Sequence, residues 1–352
     1  MRSLCTAMLL LSFAQSGASQ DRAVRIGVLG IFHSPRLTVA SYKDGDLVLS
    51  AEAQQLFLHP RSSCDTADLR ASSDILIVRC GRHEFRTQEL RAAGRNQQAT
   101  EFVLEIPGKI TRSYSGVLIV SAKNGEVIPV VEMDLEVAVG SIVQAEAMPD
   151  TPLEALKAQA VVSRSYLVAG RGRHTDFDFC DLTHCQFLRE PPEAGSPAAQ
   201  AAAMTRRLVL TYHDQPIAAM FTRSCGGDTR TPAEIGLPSA AYPYYAVRCE
   251  ICHHDPVRWT RKLSRQDAAL LLSQGEKGRL AVDRRLGWNA VPSNNFTARE
   301  QGSEVILRGT GQGHGVGLCQ RGARSLGELG SDFRTILNHY FPNTTLKSVP
   351  SK

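Results

Sequence analysis

The feature that most constrains this chain is a change of hydrophobic period at Asp134. Before it, apolar residues come in short β-prone runs at 24–29, 37–40, 74–78, 102–106, 116–120 and 127–131, separated by turn signals. After it, Leu135, Val137, Val139, Ile142 and Val143 recur at helical spacing behind an aspartate able to cap a helix. Strands in one run and helices in the next predict an α+β fold. The division expected is an N-terminal β-rich module at 20–125 and a mixed region at 126–350.

The first helix should place Glu146 at or just past its end, where the negative end of the helix dipole favours the protonated carboxyl. Thr151-Pro152-Leu153-Glu154 reads as a capping box with proline at the first helical position, opening a second helix to about Ala169. Leu153, Leu156, Ala160 and Leu167 would share one face of it. The two helices would hold Glu146 at a rigid corner. Further on, an Ala-rich helix is expected near 197–207, strands at 208–212 and 217–222, a helix from Ser264, strands near Leu280 and Val305, and a last helix near Ser331.

A chain of 352 residues, 43% apolar and 21% charged, can bury one large or two modest cores, which excludes a disordered polymer. The net charge of +5 includes no Lys/Arg block dense enough to specify nucleic acid, so no nucleic-acid partner is expected. Residues 1–19 have the layout of a cleaved secretory signal: Arg2, an apolar stretch at 7–14, then small residues at 16–19. That stretch falls short of the roughly 20 residues of a spanning helix, and no later segment reaches that length. An exported chain without an integral membrane segment is therefore expected.

Export permits disulfides, and of the nine cysteines Cys64 and Cys80 form the first pair expected to bridge. His174, Cys180, His184 and Cys185 lie within twelve positions, a ligand supply suited to tetrahedral zinc, with a Cys180–Cys185 disulfide as the alternative. Cys249 and Cys252 form a Cys-x-x-Cys that Cys225 could join as a second metal site or a bridge, while Cys319 stands alone in sequence. Structural zinc is the one cofactor expected. The run from Gly311 to Gly317 lacks the Lys-Ser/Thr of a phosphate loop and misses the Gly-x-Gly-x-x-Gly spacing.

Three blocks in order carry a resemblance. Residues 135–146 followed by 152–161, then Ser224-Cys225-Gly226-Gly227-Asp228-Thr229, then Gly313-His314-Gly315-Val316-Gly317-Leu318-Cys319-Gln320 resemble the SpoIID/LytB family, which includes the sporulation protein SpoIID and amidase enhancers. The chain departs from that pattern in having Glu146-Ala147-Met148-Pro149 where the family has Glu-Met-Pro, and Ala138 where it has tyrosine. The resemblance implies a saccharide groove and a lytic transglycosylase cutting between N-acetylmuramic acid and N-acetylglucosamine in strands stripped of stem peptides. Glu146 would be acid first and base second, and peptidoglycan glycan strands the partner. It further implies that His314 lines the groove, that Gln159, Arg164, Ser224 and Gln320 orient substrate or Glu146, and that zinc sits at the Cys/His loop. A reading from another class is a non-catalytic wall-binding enhancer of a cell-wall amidase. A zinc-dependent amidase or peptidase lacks its His-Glu-x-x-His helix.

Overall fold

The computed structural model describes residues 23–183, 185–238 and 242–349; the expected signal at 1–19 and the expected ligand His184 lie outside them. Twelve strands form one sheet. They are β1 (Ala23–Gly27), β2 (Arg36–Ser41), β3 (Leu47–Ala51), β4 (Gln54–Leu58), β5 (Thr66–Ser72), β6 (Ile75–Cys80), β7 (His83–Thr87), β8 (Glu89–Ala93), β9 (Thr100–Ile106), β10 (Ile110–Lys123), β11 (Glu126–Asp134) and, later in the chain, β12 (Phe179–Cys180). Alternation of side chains along each strand buries one face: Leu37 and Val39, Ala67 and Leu69, Leu76 and Val78, Phe102, Leu104 and Ile106.

Strand β10 organises this sheet. Its first half pairs with β9, while Val117 and the residues after it pair with β11, and Leu118–Ser121 also with β8. The changeover falls at Gly116, where a Cβ would lie 2.5 Å from the Glu132 carbonyl oxygen, so only glycine fits. A division between 125 and 126 falls in the turn of the β10–β11 hairpin, whose last pair is Lys123 with Glu126. The Cys64–Cys80 disulfide forms as expected and closes the β5–β6 hairpin from its open end.

Helix α1 (Leu135–Glu146) continues from β11, and Asp134 caps it by accepting the Glu136 and Val137 amides at 2.8 and 3.3 Å. Helix α2 (Leu153–Ala169) starts differently from the expected capping box. Pro152 is the N-cap, Thr151 Oγ1 donates back to the Met148 carbonyl, and Glu154 accepts the Phe333 amide and the Lys157 ammonium. Nor is α2 one-faced: every residue from Ala155 to Leu167 is buried. Most of its polar groups survive this because they are bonded, as with Ser165, which donates to the Val161 carbonyl and accepts the Leu210 amide; Gln159 Oε1 is the exception.

The rest comprises α3 (Pro197–Met204), β13 (Leu208–Tyr212), β14 (Gln215–Pro216), β15 (Phe221–Thr222), α4 (Glu250–His254), β16 (Arg258–Ser264), α5 (Arg265–Gln274), α6 (Glu276–Leu286), β17 (Phe296–Gln301), β18 (Glu304–Thr310), β19 (Leu318–Cys319), α7 (Gln320–Glu328), α8 (Phe333–Tyr340) and β20 (Thr345–Ser348). Within the expected strand at 217–222 only Phe221–Thr222 is extended in a ladder. The expected strand near Leu280 is part of α6, stabilised by buried Arg279, which pairs at helical spacing with Glu276 and Asp283.

Three cores result. The first lies between the large sheet and α1, α2 and α3; the second packs the other side of α2 against α7, α8 and β13; the third joins α5 and α6 to the β16–β18–β17 sheet. Both α and β elements are thus integral, as an α+β fold requires. Among the described residues no helix is long and apolar enough to cross a membrane.

Candidate functional site

Glu146 is the last residue of α1, and its side chain is partly buried. Removal from water pushes its carboxyl up to about 7, against the pull of the Phe187 backbone N–H that donates to it and of the Arg223 guanidinium nearby. Burial, more than the helix dipole, is thus the main cause of its raised proton affinity. A carboxyl poised near neutrality can give up a proton and take it back, which a general acid requires.

The backbone of Glu146 is held as firmly as its side chain. Strands β15 and β19 run parallel, with Phe221 opposite Leu318 and Thr222 opposite Cys319. Their following residues emerge side by side, and Arg223 Nη1 and Gln320 Nε2 both donate to the Glu146 carbonyl, at 3.0 and 3.1 Å. The two strands approach closely because Gly317 has φ +74° and no Cβ; one there would lie 2.1 Å from the Met220 carbonyl oxygen. The glycine run packs backbone against backbone here, with Gln312 and Ser224 exchanging main-chain hydrogen bonds.

Arg223 escaped the sequence reading. Its only local signal was its place immediately before the Ser224-Cys225-Gly226-Gly227 block. The other expected residues are distributed unevenly. Gln320 does touch Glu146, through the backbone. Gln159 lies buried in α2 and donates to Ser163 Oγ. Arg164 has no exposed surface to offer a substrate: its guanidinium grips both Glu136 carboxylate oxygens and donates to the Ala202 and Leu208 carbonyls. Ser224 is buried with its hydroxyl 3.5 Å from the Cys252 sulfur. His314 Nδ1 accepts the Val316 amide at 3.0 Å, which puts the proton of the neutral ring on Nε2, and desolvation lowers its pKa.

Two thiol-bearing clusters flank this arrangement. His174, Cys180 and Cys185 bring their ligand atoms within 4.8 Å of one another, with His174 Nε2 3.3 Å from the Cys185 sulfur. The Cys180 and Cys185 sulfurs hydrogen-bond to each other. This donor set fits a structural zinc, which would pin the loop that delivers Phe187 to Glu146. Cys225, Cys249 and Cys252 also meet, and the residue that joins them is Cys319, solitary in sequence; the four sulfurs lie within 4.8 Å of one another. The histidines that follow Cys252 take no part: His253 pairs with Asp228 and His254 with Glu250.

Two open clefts lie elsewhere, on the large sheet. One is lined by Ser50, Thr87 and Arg91 among others, the second by Arg25, Asp74 and Lys123; neither includes Glu146. Both are lined by side chains of mixed charge, whereas the buried carboxyl with a raised pKa is at Glu146.

The family described as Stage II sporulation protein, SpoIID, matches residues 123–212. An uncharacterized protein of Brachyspira hyodysenteriae is 29% identical over 261 residues, which is 65% of this chain and 70% of that one. Stage II sporulation protein D of Bacillus amyloliquefaciens is 25% identical over 62% of this chain and 75% of its own. The amidase enhancer of Bacillus subtilis is 24% identical over 56% of this chain, which spans 38% of that relative's length. The family match contains Glu146, Arg164 and the His174–Cys185 loop, and ends before Arg223 and the four-cysteine cluster.

Proposed function

Since the chain belongs to the SpoIID family, we propose that it is an exported protein acting on the bacterial cell wall, as a lytic transglycosylase with Glu146 as its acid and base. Its substrate is the glycan strand, cut between N-acetylmuramic acid and N-acetylglucosamine where stem peptides are absent. The protonated Glu146 carboxyl gives its proton to the bridging oxygen as the bond from muramic C1 to that oxygen breaks. The C6 hydroxyl oxygen of the same sugar then bonds to C1, and its proton returns to the Glu146 carboxylate. The product is a 1,6-anhydro end, and no water is consumed.

The observation that carries this reading is the partly buried carboxyl with its pKa raised to about 7. Arg223 suits the first half-reaction, because a cation beside the carboxylate steadies the charge left as the proton departs. A single carboxyl serves here where hydrolytic glycosidases ordinarily need two. Among the remaining candidates, Gln320 acts by holding the Glu146 backbone, and His314, whose ring bonds to the Val316 amide and to the Phe221 backbone, acts by holding the glycine run against β15.

Glu146→Gln tests the reading directly. Digestion of peptide-free glycan strands, followed by mass spectrometry, is expected to show anhydro-ended products falling about 10²- to 10⁴-fold, the usual worth of a positioned general acid. Undiminished product would end the proposal. The relative named amidase enhancer favours a second reading, in which the chain binds wall and stimulates an amidase. That reading expects Glu146→Gln to leave stimulation of the amidase intact while wild-type protein yields no anhydro ends.

A further inference from the structure

We propose that Cys225, Cys249, Cys252 and Cys319 together hold one zinc ion in a closed four-thiolate site, and that this ion fastens the two segments that clamp the Glu146 backbone. The four sulfurs come from three distant places: the loop after β15, the start of α4, and the N-cap of α7. They converge within 4.8 Å of one another, and the Cys252 and Cys319 sulfurs stand 3.7 Å apart. Four thiolates around zinc at about 2.3 Å form a tetrahedron whose edge is about 3.8 Å. The Cys252–Cys319 distance matches that edge, and the convergence of all four sulfurs suits one ion.

The surroundings are those of thiolates. Ser224 Oγ lies 3.5 Å from the Cys252 sulfur, the Tyr340 hydroxyl 3.6 Å from that of Cys249, and the amides of Cys225 and Gly322 donate to the Cys319 sulfur at 3.4 and 3.5 Å. Donors aimed at every sulfur but that of Cys225 steady negative charge and orient ligands, as partners around metal thiolates do. Gly322 gives the cluster room, since a Cβ there would lie 2.6 Å from the Cys249 sulfur. All four cysteines are at most 2% exposed and none is bridged, although Cys64 and Cys80 in the same chain are. Soft sulfur ligands exclude magnesium and calcium, and a set of four with no open position suits a structural ion.

The consequence for the site follows from chain order. Cys319 is joined directly to Gln320, and Cys225 stands two residues after Arg223, the two side chains that donate to the Glu146 carbonyl. An ion joining Cys225 to Cys319 thus fixes the distance between the two donors. This step concerns the position of Glu146 only, so its test uses no enzymatic readout and fails separately from the transglycosylase reading.

The full chain carrying Cys180→Ser and Cys185→Ser, which removes the thiols of the other cluster, should retain one zinc per chain by elemental analysis. Stripped of metal and given Co²⁺ alone under reducing conditions, it should bind one equivalent with the absorption of a tetrahedral four-thiolate site, displaced by one equivalent of Zn²⁺. Adding Cys252→Ser or Cys319→Ser should abolish that spectrum. Because such variants can fail to fold, unreduced wild-type protein is also mapped by alkylation and mass spectrometry, where all four thiols should resist alkylation until a chelator is added. A disulfide among the four, iron in place of zinc, or thiols that alkylate without chelator would overturn the site. Hydrogen exchange across 144–152 should quicken several-fold on metal removal from the chain lacking Cys180 and Cys185; unchanged exchange would overturn the link to Glu146.

Discussion

Glu146 is held twice, by its carbonyl and by its carboxyl, and the second hold has a pH dependence whose sign can be worked out. Burial raises the folded pKa from an ordinary 4.5 to about 7, so the native state binds the proton more tightly than the unfolded chain. The stability this contributes is fully present below about 4.5 and is lost as pH rises through about 7, at most about 3 kcal/mol in all. Glu146→Gln cannot ionise. Melting temperatures of the two proteins should diverge between pH 4.5 and 7.5, the variant becoming the more stable at the upper end. Parallel curves would show that the carboxyl is not desolvated. Asp134, the place of Glu146 and the Cys64–Cys80 bridge were legible in sequence because each signal is local: a helix cap, a helix end, a short cysteine loop. Arg223 and Cys319 were not, because the first acts across 77 positions and the second meets Cys225 across 94. Nothing near either residue announces its partner.

At the level of elements, helix α2 shows why period alone misleads. The apolar face expected from Leu153, Leu156, Ala160 and Leu167 is real, but the opposite face is buried too, and most polar groups there find partners, Gln159 Oε1 excepted. Arg164 does most of this, tying the start of α1 to the end of α3 and the start of β13. Arg164→Met should strand the Glu136 carboxylate and lower stability by about 3–5 kcal/mol, read from urea unfolding. A loss under about 1 kcal/mol would mean that the pair is solvated in the native state. The β15–β19 contact is equally specific. Gly317→Ala places a side chain against the Met220 carbonyl at φ +74°, so it should cost more than the about 1 kcal/mol typical of a point substitution. Gly330→Ala is the control, since φ is +87° there but nothing lies within 4 Å. Equal melting temperatures for the two variants would deny that close strand approach matters.

For the molecule as a whole, the α+β character was legible because strand and helix periods separate cleanly at Asp134. The way the halves join was not, since β11 reads as one more strand and only pairing reveals that it stands between β10 and β1. A fragment covering 20–125 leaves β10 without its β11 partner and β1 without either neighbour. It should lack a cooperative thermal transition by circular dichroism; a sharp one would support the division at 125. The pairing of β1 bears also on the order in which a chain becomes available to itself. Made from the N-terminus, the segment Ala23–Gly27 waits for Val130–Asp134 to arrive on one side and for Phe179–Cys180 on the other. Until then its apolar Val24 and Ile26 have nowhere to go, and the unsatisfied main chain invites strangers. Closure of the sheet is thus a late event set by sequence distance, and any helper that shields the first strand during manufacture should raise yield more than one that acts on the finished protein.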